Sequence, residues 1–462
     1  MKTNLMPKKL LALLMAFTIT LTLSCGDDDT PPEEVPNLVN LAVAQPNLSS
    51  LVSALNRFPD LAQDLSGTAE FTILAPTNDA FAAILNAVGQ DDIRNVPDNV
   101  LRGILEYHVI PGTVRSTDLQ NGNVTTVGGE AITVDITNGV RFNTTAGVVT
   151  ANVAADNGIV HIIDEVLVQP SVQPIVGTVV APAYFNNQFT TLIAAVQAAS
   201  PSILTTLLNS DNKTLFAPTN DAFTAAGITS LPDQATLDAV LTYHVIGSTV
   251  NAEDIADGSS SAPTLNGNIY LSKGANGVFI NGKTEVTTTN IAASNGVVHV
   301  IDRTLLPPSE TIADIAVAAS TAQQQPEFTQ LVAALQKVPD LLNAADSDGN
   351  LTVYAPTDAA FQSLYIALNV ADLDALEALI GNDKLAEVLQ HHIVGARVFS
   401  TDKADGTITT LNQDITVDLT NLTIADASGS DPAGLVVANL DILATNGVIH
   451  TIDRVLIPNG IL

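Results

Sequence analysis

The chain has 462 residues, 46% of them hydrophobic, with 17 Lys and Arg against 48 Asp and Glu and a net charge of −31. That length holds roughly three ordinary domains of about 150 residues, and the apolar share supplies real cores. So acidic a chain is excluded as a nucleic-acid binder, because phosphate backbones need Lys and Arg, and it is equally unsuited to adsorb directly on anionic lipid headgroups.

Residues 1–24 form a separate object. Lys2, Lys8 and Lys9 precede the run LLALLMAFTITLTLS, which is too short and too abruptly ended for a membrane span. The run stops at Cys25, the only cysteine. A lone Cys after a short apolar run and a small residue, Ser24, resembles a bacterial lipoprotein signal, with Thr22 where that pattern has Leu. The resemblance implies lipid on the Cys25 thiol; the alternative is an ordinary secretory signal cut near the same place, and both export the protein. Once 1–24 is removed, no Met, Trp or free thiol is left, so disulfides cannot help hold the domains. Residues 25–36, with GDDDTPPEEVP, are acidic, Pro-rich and have nothing to bury, so they read as a solvated tether. Acidic residues directly after a lipidated Cys resemble the surface-export signal of Bacteroidetes lipoproteins. This implies an outer-membrane lipoprotein with its body outside the cell.

Beyond the tether, NLVNLAVAQPNLSSLVSALNRF has apolar residues at three- and four-residue spacing and predicts helix, broken at Pro46. FTILA predicts a strand, and VLRGILEYHV a helix running into a strand. From Gly129 the pattern alternates through AITVDI, VRFN, VVTANVA and IVHIIDEVL, with Asn-Gly and Gly-Gly steps that suit hairpins. Helices early and a β meander late make the class α+β.

The same order returns three times. FTILAPTNDAF ends at Phe81, KTLFAPTNDAF at Phe223 and LTVYAPTDAAF at Phe361. NGIVHIID starts at Asn157, NGVVHVID at Asn295 and NGVIHTID at Asn446, each closely followed by Pro170, Pro307 or Pro458. Between these anchors lie YHVIPGTV from Tyr107, YHVIGSTV from Tyr243 and HHIVGARV from His391. The boundaries predict domains 37–170, 171–308 and 309–462, each too long for a solenoid repeat. These blocks, in this order and in three copies, resemble the fasciclin-like domain family over nearly everything after residue 37. The resemblance implies three tandem domains, each a two-sheet β wedge with packed helices, and a usual role in extracellular adhesion.

In LAPTNDAF, Pro76 ends the strand, Thr77 suits a helix N-cap, and Asp79 suits the first turn, where the helix dipole favours negative charge. Pro76 and Phe81 have the spacing of a hydrophobic staple. Thr219 with Asp221, and Thr357, repeat the corner. The functional alternative is that Thr77 and Asp79 shape an ion site, but a Thr nucleophile has no adjacent base in sequence.

Six of the seven histidines fall on two repeated positions: His108, His244 and His392, then His161, His299 and His450; the seventh, His391, replaces the Tyr of the third YH. Two per domain could be a metal pair or a base with its partner. Alternation favours a structural imidazole, with His161 sharing a face with Ile159 and Ile163. Zinc needs three or four ligands, and no third His is available in the first two domains, so neither metal nor cofactor is expected. The His391–His392 doublet, read as adjacent strand residues, points to opposite faces. DSDGN, Asp346 to Asn350, has Thr357 where a calcium loop closes with Glu, and reads as a turn.

The family resemblance further implies cell binding through an Asp-aliphatic pair after the central strand and through the Tyr-His region. The matching candidates are Asp118-Leu119 and Asp254-Ile255, with Tyr107, His108, Tyr243 and His244; the third pair has become Asp402-Lys403. The expected function is non-enzymatic surface adhesion, with an extracellular glycan or a cell-surface or matrix protein as partner. Periplasmic scaffolding and a hydrolase using His with Asp or Thr are the alternatives.

Overall fold

The computed structural model describes residues 35–402, 405–426, 428–429 and 431–461; the leader, Cys25 and nearly all of the tether lie outside them. Each of the three domains begins with short helices and ends with a meander.

The two most repeated blocks are next to one another. Strand Phe71–Pro76 runs parallel to strand Gly158–Ile163, with Leu74 opposite His161. Lys213–Pro218 with Gly296–Ile301, and Leu351–Pro356 with Gly447–Ile452, repeat the pair. A parallel pair needs a long crossover, and here the crossover is most of the domain. The Asn-Gly steps make this approach possible. A Cβ on Gly158 would lie 2.0 Å from the Phe71 carbonyl oxygen, and one on Gly296 would lie 1.9 Å from that of Lys213.

The sheets differ from one domain to the next. In the first, seven strands form one connected ribbon, folded over the ten-residue strand Ala146–Ala155, whose register shifts between Val148 and Val153. Such bulges bend a strand, so one end pairs with Arg141–Phe142 and the other with Gly158–Ile163. In the second, an extra Thr264–Ile246 pair closes a barrel. In the third, a 3-10 turn at Val437–Asn439 interrupts the bend, leaving two separate four-stranded sheets.

Within the first domain, Val160 and Ile162 face the helices, while Leu74, Tyr107, Phe142 and Ile163 pack between the sheet leaves. The second and third domains repeat this division. The helix-side cores of the first two domains are continuous with each other, whereas that of the third is separate. No single helix among the described residues is long and apolar enough to cross a membrane.

Candidate functional site

At the Thr77 corner, Thr77 Oγ1 accepts the Ala80 N–H at 3.2 Å. Thr219 and Thr357 hold Ala222 and Ala360 in the same way. Asp79 and Asp221 are exposed in the first helical turn. The neighbouring residue has a second task that the sequence does not announce. Asn78 Oδ1 accepts the Ser50 N–H at 2.9 Å, and its amide donates to the Pro46 carbonyl at 3.0 Å. The corner thereby also caps the helix Ser49–Leu55. Asn220 does the same through Thr191 and Asn187, and Asp358 through Gln330 and Thr329.

All seven histidines are buried. His108 Nδ1 donates to the Ile104 carbonyl at 2.7 Å, and Nε2 accepts the Leu167 N–H at 2.9 Å. His244 bridges Val240 and Leu305, and His392 bridges Val388 and Leu456. Each ring therefore pins the C-terminal segment of its domain to the end of a helix. Burial pushes all three down to about 4, because the cost of desolvating an imidazolium outweighs the carbonyl bond each ring makes.

The second set uses the opposite tautomer. His161 Nε2 donates to the Val114 carbonyl at 3.0 Å, while Nδ1 faces the Asn152 N–H at 3.3 Å. His299 and His450 repeat this with Val250 and Asn290, and with Val398 and Asp441. Burial holds His161 and His299 below the ordinary imidazole range. The residue on the facing strand stacks where it is aromatic: Phe216 on His299 and Tyr354 on His450.

The anchor asparagines are a further set of fasteners. Asn157 Oδ1 accepts the Leu38 N–H at 3.0 Å, and its amide donates to the Leu65 and Gly67 carbonyls, both at 2.8 Å. Asn295 and Asn446 repeat all three bonds. One side chain thus satisfies a helix start and a helix end, groups that a helix cannot satisfy itself. The sequence signal was the invariance of Asn across the three copies; its partners are remote in the chain.

The proposed contact residues are mostly internal, which corrects the expectation that they face a ligand. Tyr107 and Tyr243 are 0% exposed, and His108 and His244 are 2% and 1% exposed. The Tyr107 hydroxyl donates to the Ala131 carbonyl at 3.0 Å, and that of Tyr243 to Asn268 at 2.9 Å. Leu119 and Ile255 are also buried, because their turns tuck the aliphatic side chain between the leaves. Only Asp118 and Asp254 of this group are exposed, and each accepts a backbone N–H within its own turn, from Arg115 and Asn251. Lys403 lies outside the described residues.

In the third domain, His391 takes the tyrosine position with Nδ1 3.4 Å from Thr410 Oγ1 and no partner for Nε2 among the described residues. The His391–His392 doublet lies in the turn after helix Asn382–Gln390, not on a strand. Asp346 ends the helix Pro339–Asp346 and accepts the Thr311 hydroxyl at 3.1 Å. No group of three or more His, Cys, Asp or Glu among the described residues could hold a metal ion.

The fasciclin domain model matches residues 46–169, 187–307 and 326–458. Human periostin is 29% identical over 362 residues, 75% of this chain and 39% of that protein. The transforming growth factor-beta-induced protein ig-h3 of Sus scrofa is 29% identical, over 73% of this chain and 48% of its own length. The chain thus spans less than half the length of these curated relatives. Protein sll1483 of Synechocystis is 38% identical over 135 residues, 29% of this chain and 73% of that protein. A solved FAS1 domain pair from the insect cell adhesion molecule Fasciclin I is 22% identical, covers 56% of this chain and 97% of its own, and superposes with a TM-score of 0.27. With three matches that together take in most of its length, the chain belongs to the fasciclin domain family.

Proposed function

We propose that this is an exported, non-enzymatic adhesion protein, held to the outer membrane through lipid on Cys25 and presenting three domains to an extracellular glycan or matrix protein. One observation carries the reading: the repeated His, Tyr, Asn and Thr residues are spent on internal bonds. A hydrolase would need one of these imidazoles beside a nucleophile in an open cleft, and their burial counts against it. Membership of the fasciclin domain family, whose resemblance implies extracellular adhesion, favours this reading. Three tandem copies suit weak sites acting together, since linked sites raise avidity without new contacts.

The test compares the soluble chain from residue 26 onward with a folded third-domain fragment for binding to cells and polysaccharide. The chain binds much more tightly than the fragment; equal affinity removes the avidity argument. Cys25→Ala releases the protein from membranes, and protease shaving of intact cells cuts it. An uncut protein favours the periplasmic scaffold instead.

A further inference from the structure

We propose that Asn138 and Asn276, at matching hairpin tips of the first and second domains, are sites of deamidation, and that the fold shields the anchor asparagines from the same reaction. This goes beyond the adhesion reading and does not depend on it. Nine Asn-Gly steps occur in the chain. Such steps are open to self-attack, because glycine puts no side chain beside its backbone nitrogen. That nitrogen attacks Cγ of the preceding asparagine. A C–N bond forms, the bond from Cγ to Nδ2 breaks, and ammonia leaves with the glycine N–H proton. Water then opens the succinimide at either carbonyl, giving aspartate or isoaspartate.

Six of the nine side chains are held. The Asn157, Asn295 and Asn446 amides make the fastener bonds already described. Asn121 Oδ1 accepts the Ile136 N–H at 2.7 Å, the Asn266 amide donates to the Ala239 carbonyl at 2.9 Å, and Asn281 Oδ1 accepts the Tyr270 N–H at 2.9 Å. A held amide cannot swing onto the next nitrogen, and reaction needs that near-attack geometry. The anchors are also closed from the glycine side, where the Phe71 and Lys213 carbonyls crowd Gly158 and Gly296.

Asn138 and Asn276 are the contrast. Asn138 lies between strands Ala131–Asp135 and Arg141–Phe142, and Asn276 between Gly267–Gly274 and Gly277–Ile280. Each stands five residues before an asparagine, Asn143 or Asn281, whose amide donates to the buried tyrosine hydroxyl of its domain. Both tips are exposed, as are Gly139 and Gly277, and neither side chain has a hydrogen-bond partner among the described residues. A Cβ on Gly139 or Gly277 would meet nothing within 4 Å, so no neighbour crowds the attack. The third domain has closed this position. Its VDLTN matches VDITN of the first, but Asn421 is followed by Leu422 and its amide donates to Asp418 at 2.7 Å. Asn459 is exposed too, yet the Gln413 amide clasps its N–H at 3.1 Å and its carbonyl at 3.3 Å, fixing the peptide that would have to turn.

The experiment incubates the soluble three-domain chain at pH 8, with and without urea, and follows each asparagine by peptide mass spectrometry. In the folded chain Asn138 and Asn276 gain the mass of deamidation and yield aspartate and isoaspartate together. Asn157, Asn295 and Asn446 react more slowly by roughly a hundred-fold or more, because they wait for local opening. Asn421 also lags behind both tips. Urea removes the difference between tips and anchors, since both are the same dipeptide. Asn138→Gln and Asn276→Gln, made at exposed tips, abolish the acidic forms that accumulate on isoelectric focusing. Either tip left intact in the folded chain overturns the proposal. So does Asn421 or an anchor converting as fast as the tips, or anchor protection that persists in urea.

Discussion

The junction between the first and second domains is mainly apolar. Gly89 lies so close to Ile291 and Pro182 that a Cβ on it would sit 3.1 and 3.2 Å away, and the two helix-side cores merge. The second and third domains instead meet through Ser272 and Asp402, Arg397 on Tyr270, and the packing of Gly282 over Asp441. Asp441 occupies the position of Asn152 and Asn290, which are exposed, but it is 5% exposed because the second domain's hairpin covers it. Apolar burial is non-directional and couples whole cores. Polar junctions depend on geometry and can open with each domain intact. The first pair should therefore behave as one cooperative body and the third domain as another.

The largest expected effect comes from the anchor glycines. A Cβ on Gly296 would meet a backbone oxygen at 1.9 Å, and one on Gly447 would meet the Leu351 oxygen at 2.3 Å. Each substitution to Ala should cost more than about 4 kcal/mol. In calorimetry, Gly296→Ala lowers the transition of the first and second domains together, whereas Gly447→Ala lowers only the third. A Gly296→Ala protein whose first domain melts normally would break the comparison.

Next come the asparagine fasteners. Asn157→Ala leaves the Leu38 N–H and two carbonyls without the bonds that held them, a loss of roughly 3 kcal/mol. It should lower the joint transition of the first pair, while Asn446→Ala lowers the third domain's alone; urea unfolding followed by far-ultraviolet dichroism measures both.

Acid should affect both bodies. His108, His244 and His392 are held at about 4 against an ordinary 6.5. Between those values the unfolded chain binds more protons, so stability is complete above about pH 6.5, falls as pH drops and levels off below about pH 4. Thermal unfolding at pH 7 and pH 5 measures the loss, on the order of 1–2 kcal/mol per histidine. His392→Gln should flatten this dependence in the third domain only.

The smallest effect sharpens the contrast at the junction. Tyr270→Ala removes the cation–π contact with Arg397 and the ring contact with Phe399. It should weaken coupling to the third domain by about 1 kcal/mol and leave the joint transition of the first pair in place. A shift in that joint transition would contradict the separation of the two bodies.

The parts of this picture legible in the sequence are the local ones. The Thr77 cap bonds a residue three positions on, and the alternation around His161 spans one strand, so spacing alone carries both. The parallel pairing of FTILAP with GIVHII was hidden, since hydrophobic pattern does not name a strand's partner. The Asn157 bonds reach 92 and 119 residues along the chain, so repetition marked the residue without giving its task. The Asp118-Leu119 and Tyr-His positions misled for a related reason. The family pattern locates them on the chain, but burial depends on how the leaves close over Leu119 and Tyr107.

Nitrogen-detected magnetic resonance of the histidines tests the central claim, that the repeated residues fasten each domain from within. The account predicts that at pH 5.5 His108, His244 and His392 are neutral Nδ1–H tautomers, that His161 and His299 carry the proton on Nε2 when neutral and titrate below the ordinary imidazole range, and that none shifts when cells' polysaccharide is added. Averaged tautomers titrating near pH 6.5, with signals that move on ligand addition, would contradict it.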